Sequence, residues 1–307
     1  MDIRILNLTK SYGIQKAVDD ISFDVNPGEI LGFLGPNGAG KTTTMKIITD
    51  FIEADAGEVL IGGQSVKQEK LHRHVGYLPE HNPLYEEMPV IDYLQFCAAL
   101  HGLEKSRIPV RIREMVRVCG LDPEKHKKIR ELSKGFRQRV GLAQAMIHDP
   151  EVLILDEPTT GLDPNQRVEI RELIRSLGRH KTVILSTHIL PEVEETCDRI
   201  VIINRGRIVA DGTVDMLKKQ KTGQQIINLQ IYGGNHDDIY AALRQLPTVH
   251  AVEILSPSEQ KYSLQSKPDT PSNHAVFHMC VQKGWVLNEL IPIETKLEDV
   301  FRDLTLN

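Results

Sequence analysis

The feature that most limits what this chain can fold into is the run GPNGAGKT at residues 35–42, which fits the pattern GxxxxGK[ST]. An apolar stretch from Glu29 to Leu34 precedes it and is typical of a buried strand, while residues 41–49 have the pattern of a helix. A strand, a glycine-rich loop and a helix in this order suit phosphate groups, because glycine lets backbone N–H groups converge and the helix N-terminus carries partial positive charge. The run therefore predicts an α/β fold with a phosphate-binding loop.

The residue types in this loop indicate which groups they bind. Lys41 is long enough to reach the β- and γ-phosphates of a nucleotide, and the Thr42 hydroxyl is suited to Mg²⁺. A glycine-rich turn with a purely structural role would need neither the Lys-Thr pair nor the preceding strand. The predicted nucleotide-binding residues of the loop are Gly35, Pro36, Asn37, Gly38, Ala39, Gly40, Lys41, Thr42 and Thr43.

Two carboxylates follow a second apolar strand. The stretch VLILDE at 152–157 ends in Asp156 and Glu157, and the buried residues before them fix where the acids emerge. Asp156 is predicted to contact Mg²⁺, directly or through water, and Glu157 to polarise the water that attacks the γ-phosphate. Two surface acids at a strand end are the alternative interpretation, which the upstream phosphate loop disfavours.

The segment LSKGFRQR at 132–139 resembles the LSGGQ signature of the ABC ATPases. Ser133 and Gly135 stand where that family places its phosphate-contacting groups, whereas Lys134 and Phe136 replace its usual Gly and Gln. The serine hydroxyl, backbone donors and a helix N-terminus remain available to a γ-phosphate. The resemblance implies an α/β P-loop NTPase of the ABC-ATPase fold, with a helical subdomain and with ATP and Mg²⁺ as ligands.

Further motifs of the family occur in order over about two thirds of the chain. By resemblance, Tyr12 stacks on adenine, and His188 senses the γ-phosphate and joins Lys41 and Glu157 in the predicted catalytic set. Glu80 stands where the family has a glutamine that links the Mg²⁺ site to the helical subdomain, so it is a further candidate metal ligand.

The loop GLDP at 161–164 resembles the loop that crosses to the opposite subunit, which makes Asp163 a further candidate at the nucleotide. In the family, the signature loop of one subunit closes over ATP held by the other. This chain carries both halves of such a site. The resemblance therefore implies a head-to-tail homodimer with two equivalent ATP sites.

The sequence predicts two domains. Residues 1–220 are expected to form the ABC ATP-binding domain, with a helical subdomain at about 88–147. A polar linker is expected at 218–225. Residues 225–307 show strand and helix patterns in the order βαββαβ, which predicts a small α+β accessory domain of the ferredoxin-like type.

Two segments indicate which subgroup of the family the chain resembles. The tail LEDVFRDLT at 297–305 resembles that of ABC subunits serving ABC-2-type permeases, generally exporters, and VGYLPEHNPLY at 75–85 resembles the gliding-motility-associated ATPases. The resemblance implies a peripheral subunit on the cytoplasmic face of the inner membrane that powers a separate transmembrane permease. No apolar run in the chain approaches the roughly 20 residues that cross a bilayer.

Charge and composition bear on the partners. Residues 101–140 hold 12 Lys or Arg and 5 Asp or Glu, so this surface is either a solvated face drawn to the other subunit's ATP or, with residues 80–93, a docking site for the permease. The net charge of −5 argues against nucleic acid as a partner. The four cysteines are scattered without metal-ligand spacing.

Two other functions stay open at this point. One is an ABC ATPase that acts on ribosomes or DNA; such proteins usually join two ATPase domains or carry a long coiled coil, and this sequence shows neither pattern. The other is a regulatory module that binds ATP without turnover, which Glu157 and His188 disfavour.

Overall fold

The structure is a computed structural model that describes residues 1–67, 71–221, 226–268, 270–293 and 296–305. The chain divides into a larger unit that includes Met1–Val214 and a smaller unit, Asp215–Asp303. The elements of the larger unit are β1 (Ile3–Tyr12), β2 (Gln15–Val25), β3 (Ile30–Leu34), α1 (Lys41–Ile48), β4 (Ala56–Ile61), β5 (Gln64–Ser65), β6 (Val75–Leu78), α2 (Val90–Leu100), α3 (Ile108–Val118), α4 (Lys134–Met146), β7 (Val152–Asp156), α5 (Pro164–Gly178), β8 (Thr182–Thr187), α6 (Leu190–Thr196), β9 (Arg199–Asn204) and β10 (Arg207–Gly212).

A six-stranded sheet with the strand order β10-β9-β3-β8-β7-β6 forms the centre of the larger unit. All neighbouring strands are parallel except β9 and β10, which form an antiparallel hairpin. Every residue of β3, β7 and β8 is buried, as expected for parallel strands covered on both faces. The α/β fold expected from the sequence is confirmed.

A second sheet of this unit is antiparallel and has the order β2-β1-β4-β5. The sequence patterns predict β1 and β2 but miss β4 and β5. The strand β5 has only two residues, and β4 begins with three exposed residues, so neither produces a clear apolar signal.

Three helices, α2, α3 and α4, lie between β6 and β7 in the chain and share one buried core with the central sheet. The buried Arg111 of α3 donates hydrogen bonds to the carbonyls of Met146, at 2.7 Å, and Ile147, at 3.1 Å. The guanidinium adds hydrogen bonds at the end of α4, where the carbonyl of Met146 also accepts from the backbone N–H of Asp149. The position of α4 is therefore fixed from its C-terminal end.

The smaller unit has the predicted order of strands and helices. Its elements, after α7 (Val214–Lys221), are β11 (Ile226–Tyr232), α8 (His236–Gln245), β12 (Val249–Ser256), β13 (Lys261–Ser266), α9 (Asn273–Lys283) and β14 (Val286–Ile293), followed by α10 (Leu297–Thr305). The sheet order β12-β13-β11-β14 is antiparallel throughout, which is the ferredoxin-like arrangement. Its core includes Ile227, Leu229 and Tyr262.

The structure corrects the first half of the linker that was expected at residues 218–225. Residues 218–221 belong to α7, because this stretch contains no Gly or Pro and its Lys and Gln residues favour helix. Residues 222–225 lie outside the described part of the chain. Among the described residues, no helix is both long and apolar enough to span a bilayer.

Candidate nucleotide site

The phosphate loop connects β3 to α1 and has the strained backbone that its glycines permit. Gly38 and Gly40 have φ values of 79° and 112°, in the left-handed region that other residues avoid. At Gly40 a Cβ would lie 2.3 Å from the carbonyl oxygen of Ala17, so any side chain there would collide with the β2 backbone. The loop therefore has the glycine-dependent curvature expected of a phosphate cradle.

Lys41 opens α1 with its side chain almost fully buried, at 7% exposure. Its Nζ donates a hydrogen bond of 2.8 Å to the carbonyl of Gly35 and lies 3.8 Å from Oε1 of Glu157. Burial lowers the pKa of Lys41, and the charges of Glu157 and Asp156 oppose that shift. A buried ammonium whose hydrogen bonds go to loop carbonyls is suited to bind an anion.

Asp156 ends β7 at zero exposure. Ser186 of the neighbouring strand β8 donates a hydrogen bond to its Oδ1, whereas Oδ2 is buried and has no hydrogen-bond partner among the described residues. Burial raises the pKa of Asp156, and the Ser186 hydrogen bond and the nearby Thr42 hydroxyl lower it. A free carboxylate oxygen beside a threonine hydroxyl is a donor set that a hard cation accepts.

Glu157 lies one residue beyond β7 with φ at 50°, a left-handed conformation that costs about 1–3 kcal/mol for a residue other than glycine. Three groups surround its buried carboxylate. Nδ1 of His188 is 2.9 Å from both carboxylate oxygens, the Thr160 hydroxyl donates to Oε2 at 3.0 Å, and Lys41 is the third. The strained backbone and these contacts direct the carboxylate toward the phosphate loop.

A cavity of about 520 Å³ collects these groups. Tyr12, at the end of β1, lines it with a ring that is 55% exposed. The lining residues are Tyr12, Gln15, Ala17, Asn37, Gly38, Gly40, Lys41, Thr42, Thr43, Glu80, Glu157, Thr160 and His188. The structure thus brings together the predicted adenine, phosphate and catalytic positions, although they are scattered over the chain.

Ser133, Gly135 and Asp163 are not among the residues lining this cavity. Ser133 is exposed and caps α4, where its Oγ accepts from the backbone of Phe136. Asp163 caps α5, and a Cβ on Gly135 would lie 2.7 Å from the side chain of Gln166 in the first turn of that helix. The first turns of α4 and α5 therefore pack against each other, and none of these three residues lines the nucleotide cavity of the same chain.

A second cavity, also about 520 Å³, lies beside the first. The two share Thr42 and Glu80, and Asp156 lines the second one. Aromatic, histidine and proline side chains dominate the rest of its wall, namely Phe51, Tyr77, Pro79, His81, Pro83, His101 and His148. A partner in this second cavity would contact the carboxylates next to the phosphate loop.

Sequence reasoning assigned no role to two hydroxyl groups of the site, those of Thr160 and Ser186. Each holds one of the two carboxylates, at Glu157 and Asp156 respectively. Thr160 follows Glu157 by three residues, a spacing that could have suggested the contact. The Ser186 contact depends on the pairing of β7 with β8 and has no local signal.

The comparisons with known proteins agree with this geometry. A family profile described as ABC transporter matches residues 18–160. The chain is 35% identical over 299 residues to the uncharacterized ABC transporter ATP-binding protein YxlF of Bacillus subtilis (strain 168), which covers 97% of this chain and 98% of that protein. It is 34% identical over 307 residues to the Nod factor export ATP-binding protein I of Rhizobium sp. (strain N33), covering 99% and 96%.

A solved structure has the same fold. The dimeric post-hydrolysis state of the ATP-binding cassette MJ0796 bound to ADP and Pi aligns with a TM-score of 0.64 at 22% identity, covering 69% of this chain and 98% of that chain.

Proposed function

The chain belongs to the ATP-binding proteins of ABC transporters, and on that premise we propose that it powers a separate transmembrane permease of the exporting, ABC-2 type by hydrolysing ATP between two copies of itself. The observation that carries the proposal is the cavity that unites the phosphate loop with the Glu157–His188 pair. That combination is what hydrolysis of a nucleoside triphosphate requires.

ATP binds, in this proposal, with its adenine on the exposed ring of Tyr12 and its phosphates in the curled loop that ends at Thr43. Lys41 exchanges the carbonyl of Gly35 for phosphate oxygens, which compensates its buried charge. Glu157 accepts a proton from the attacking water, and His188, which already contacts both oxygens of Glu157, orients that carboxylate and contacts the γ-phosphate.

Mg²⁺ fits the residues present. The unpartnered Oδ2 of Asp156 and the hydroxyl of Thr42 would hold it, with Glu80 as a further oxygen donor. All three residues line the second cavity, and Thr42 and Glu80 also line the nucleotide cavity. Mg²⁺ is characteristically bound by one or two carboxylates together with substrate phosphates. Among the described residues, no group of three or more His, Cys, Asp or Glu is placed to hold a metal ion. When bound, it would neutralise charge that develops on the phosphates.

A second copy of the chain supplies the rest of each site. Ser133 and Asp163 are exposed, and neither they nor the buried Gly135 line the cavity of their own chain, so the segments that carry them are available to a nucleotide held by another copy. Head-to-tail pairing would complete two equivalent sites with closed two-fold symmetry.

The permease is proposed to dock in the second cavity, which borders residues 80–93 and the helical subdomain at about 88–147. Its shared residues Thr42 and Glu80 would connect the docked partner to the nucleotide. We assign residues 1–220 to the ATP-binding domain, 225–307 to an accessory domain, and the complex to the cytoplasmic face of the cell membrane.

Export is the proposed direction. The Nod factor export relative, similar over 99% of this chain, supports it, and the similarity of residues 75–85 to gliding-motility ATPases supports a role in that process.

Affinity purification of the tagged chain from detergent-solubilised membranes tests the proposal. Wild type should copurify with a multispanning membrane protein and hydrolyse ATP, whereas Lys41→Ala should keep the partner and lose hydrolysis. Recovery of ribosomes or DNA instead of a membrane protein would overturn the proposed transport function.

A further inference from the structure

The turn that carries Glu80 is attached to the helix that carries the signature serine at its start. Asn82 closes this turn with a backbone hydrogen bond to the carbonyl of Pro79, at 3.0 Å, and has φ at 42°. The left-handed backbone is tolerated best by Asn, Asp and Gly, and it directs the amide side chain toward α4.

The side chain of Asn82 contacts α4 at close range. Its Nδ2 donates 2.9 Å to the backbone carbonyl of Arg137 and lies 3.4 Å from Oε1 of Gln138. One turn later in the helix, a Cβ on Gly141 would lie only 2.2 Å from Oδ1 of Asn82. Glycine at 141 therefore makes room for the amide, and α4 cannot shift against the turn without breaking this contact.

The two ends of this connection lie at different parts of the composite site. Glu80, two residues before Asn82, lines the nucleotide cavity. Ser133 caps the N-terminus of α4, four residues before Arg137. A third cavity of about 450 Å³ lies between the turn and the helix and is also lined by Thr160, the residue that holds Glu157.

We propose that Asn82 is a positioning residue that transmits the position of Glu80 to α4, so that Mg-ATP in a chain's own cavity sets where that chain presents Ser133 to its partner copy. The inference rests on the proposed function and names the contact through which one site acts on the other. That contact is the side-chain amide of Asn82 packed against Gly141.

ATP-dependent dimerisation tests this directly. In a Glu157→Gln background, Asn82→Ala removes the contact, Gly141→Ala displaces the amide, and the double variant does both. In each of the three, the affinity of the Mg-ATP-bound dimer should fall about 3- to 10-fold relative to the parent, which is the size of one lost hydrogen bond. The effects of the two substitutions should not add, because both break the same contact.

Thermal unfolding separates positioning from packing. The alanine methyl at 141 occupies space that the amide vacates, so the double variant should be more stable than Gly141→Ala alone while dimerising no better. Affinity of the monomer for a fluorescent Mg-ATP analogue should be unchanged, because Asn82 does not line the nucleotide cavity. As a matched control, Gly178→Ala, whose Cβ would lie 2.3 Å from Cδ1 of Ile30, should change stability without changing dimerisation.

A double variant that regains dimerisation together with stability would overturn this inference alone and leave Asn82 a packing residue. A Glu157→Gln parent that binds Mg-ATP but does not dimerise would overturn the proposed function, and this inference with it.

Discussion

Glu157 shows at the scale of one residue how the fold prepares a reaction. Its left-handed backbone costs free energy, and its N–H is held there by a hydrogen bond of 3.1 Å to the carbonyl of Ser186. The contacts with His188 and Thr160 hold the side chain despite that cost. Strain that is retained at a carboxylate beside a phosphate loop favours a functional explanation.

Glu157→Gln is expected to abolish most hydrolysis while ATP stays bound. The amide keeps the shape of the side chain but cannot take a proton, so kcat should fall by a factor of about 10² to 10⁴. Phosphate release measures the loss, and a fluorescent ATP analogue measures the unchanged Kd. Activity within a few-fold of wild type would show that another group is the base.

Glu80 adds negative charge to a site that already holds Asp156 and Glu157. Burial is the main cause that raises the pKa of Asp156, and the charge of Glu80 acts in the same direction. Glu80→Gln removes one attraction for the metal. The Mg²⁺ concentration that gives half-maximal hydrolysis should therefore rise about 5-fold, which corresponds to an electrostatic interaction of ~1 kcal/mol in wet surroundings.

Glu86→Gln is the matched control for that change, because Glu86 is exposed and lies in the same segment but does not line the nucleotide cavity. Its Mg²⁺ dependence should equal that of wild type. If Glu80→Gln behaves in the same way, Glu80 is not a metal ligand.

The contacts within the site were harder to predict than its members. Residue type and spacing indicated the phosphate loop and Asp156–Glu157, because these signals are local. The Ser186 hydrogen bond to Asp156 depends on the order of parallel strands, which local patterns do not encode. The roles of Ser133 and Asp163 stay predictions, since they require a second copy.

At the scale of elements, strong apolar periodicity predicted the strands and helices that are well buried, such as β7 and β8. It missed β6, which at Val75–Leu78 has only two fully buried residues and pairs with just one neighbour, β7, at the sheet edge. The last turn of α7 was also interpreted as a linker, because a polar stretch lacks apolar periodicity, although its Lys and Gln residues favour helix.

Two helices of the larger unit meet through a histidine pair that should make stability sensitive to acid. His101, directly after α2, stacks on His148, beyond α4, with ring centroids 3.8 Å apart. Burial first, then the charge of His101, lowers the pKa of His148 from 6.5 to about 4, and Lys181 and Arg111 act in the same direction. Its Nε2 lies 3.1 Å from the carbonyl of Val75.

The sign follows from proton binding. Between pH 6.5 and about 4 the unfolded chain protonates His148 and the folded chain does not, so the free energy of unfolding should fall as the pH falls through this window. His148→Gln, which can still donate to Val75, should flatten this part of the urea-unfolding profile. The exposed His180 provides the control, and a His180→Gln profile that flattens equally would refute the assignment.

At the scale of the whole molecule, the proposed site draws on two separate parts of the chain. The nucleotide cavity contains Lys41, whereas Ser133 is exposed and does not line that cavity. If two copies pair head to tail, each nucleotide meets Lys41 from one copy and Ser133 from the other. Lys41→Ala and Ser133→Arg therefore damage different halves of the same site.

Mixing these two variants, each inactive alone, in the membrane complex should restore hydrolysis. A mixed pair contains one site with both defects and one site with none, and random pairing makes half of the dimers mixed, so about a quarter of wild-type activity should return. Mixing Lys41→Ala with Glu157→Gln is the control, because both residues serve the same cavity and every mixed pair then has two damaged sites. Recovery in the first mixture but not in the second would require that ATP bridges two copies, whereas no recovery in either would place the complete site within a single chain.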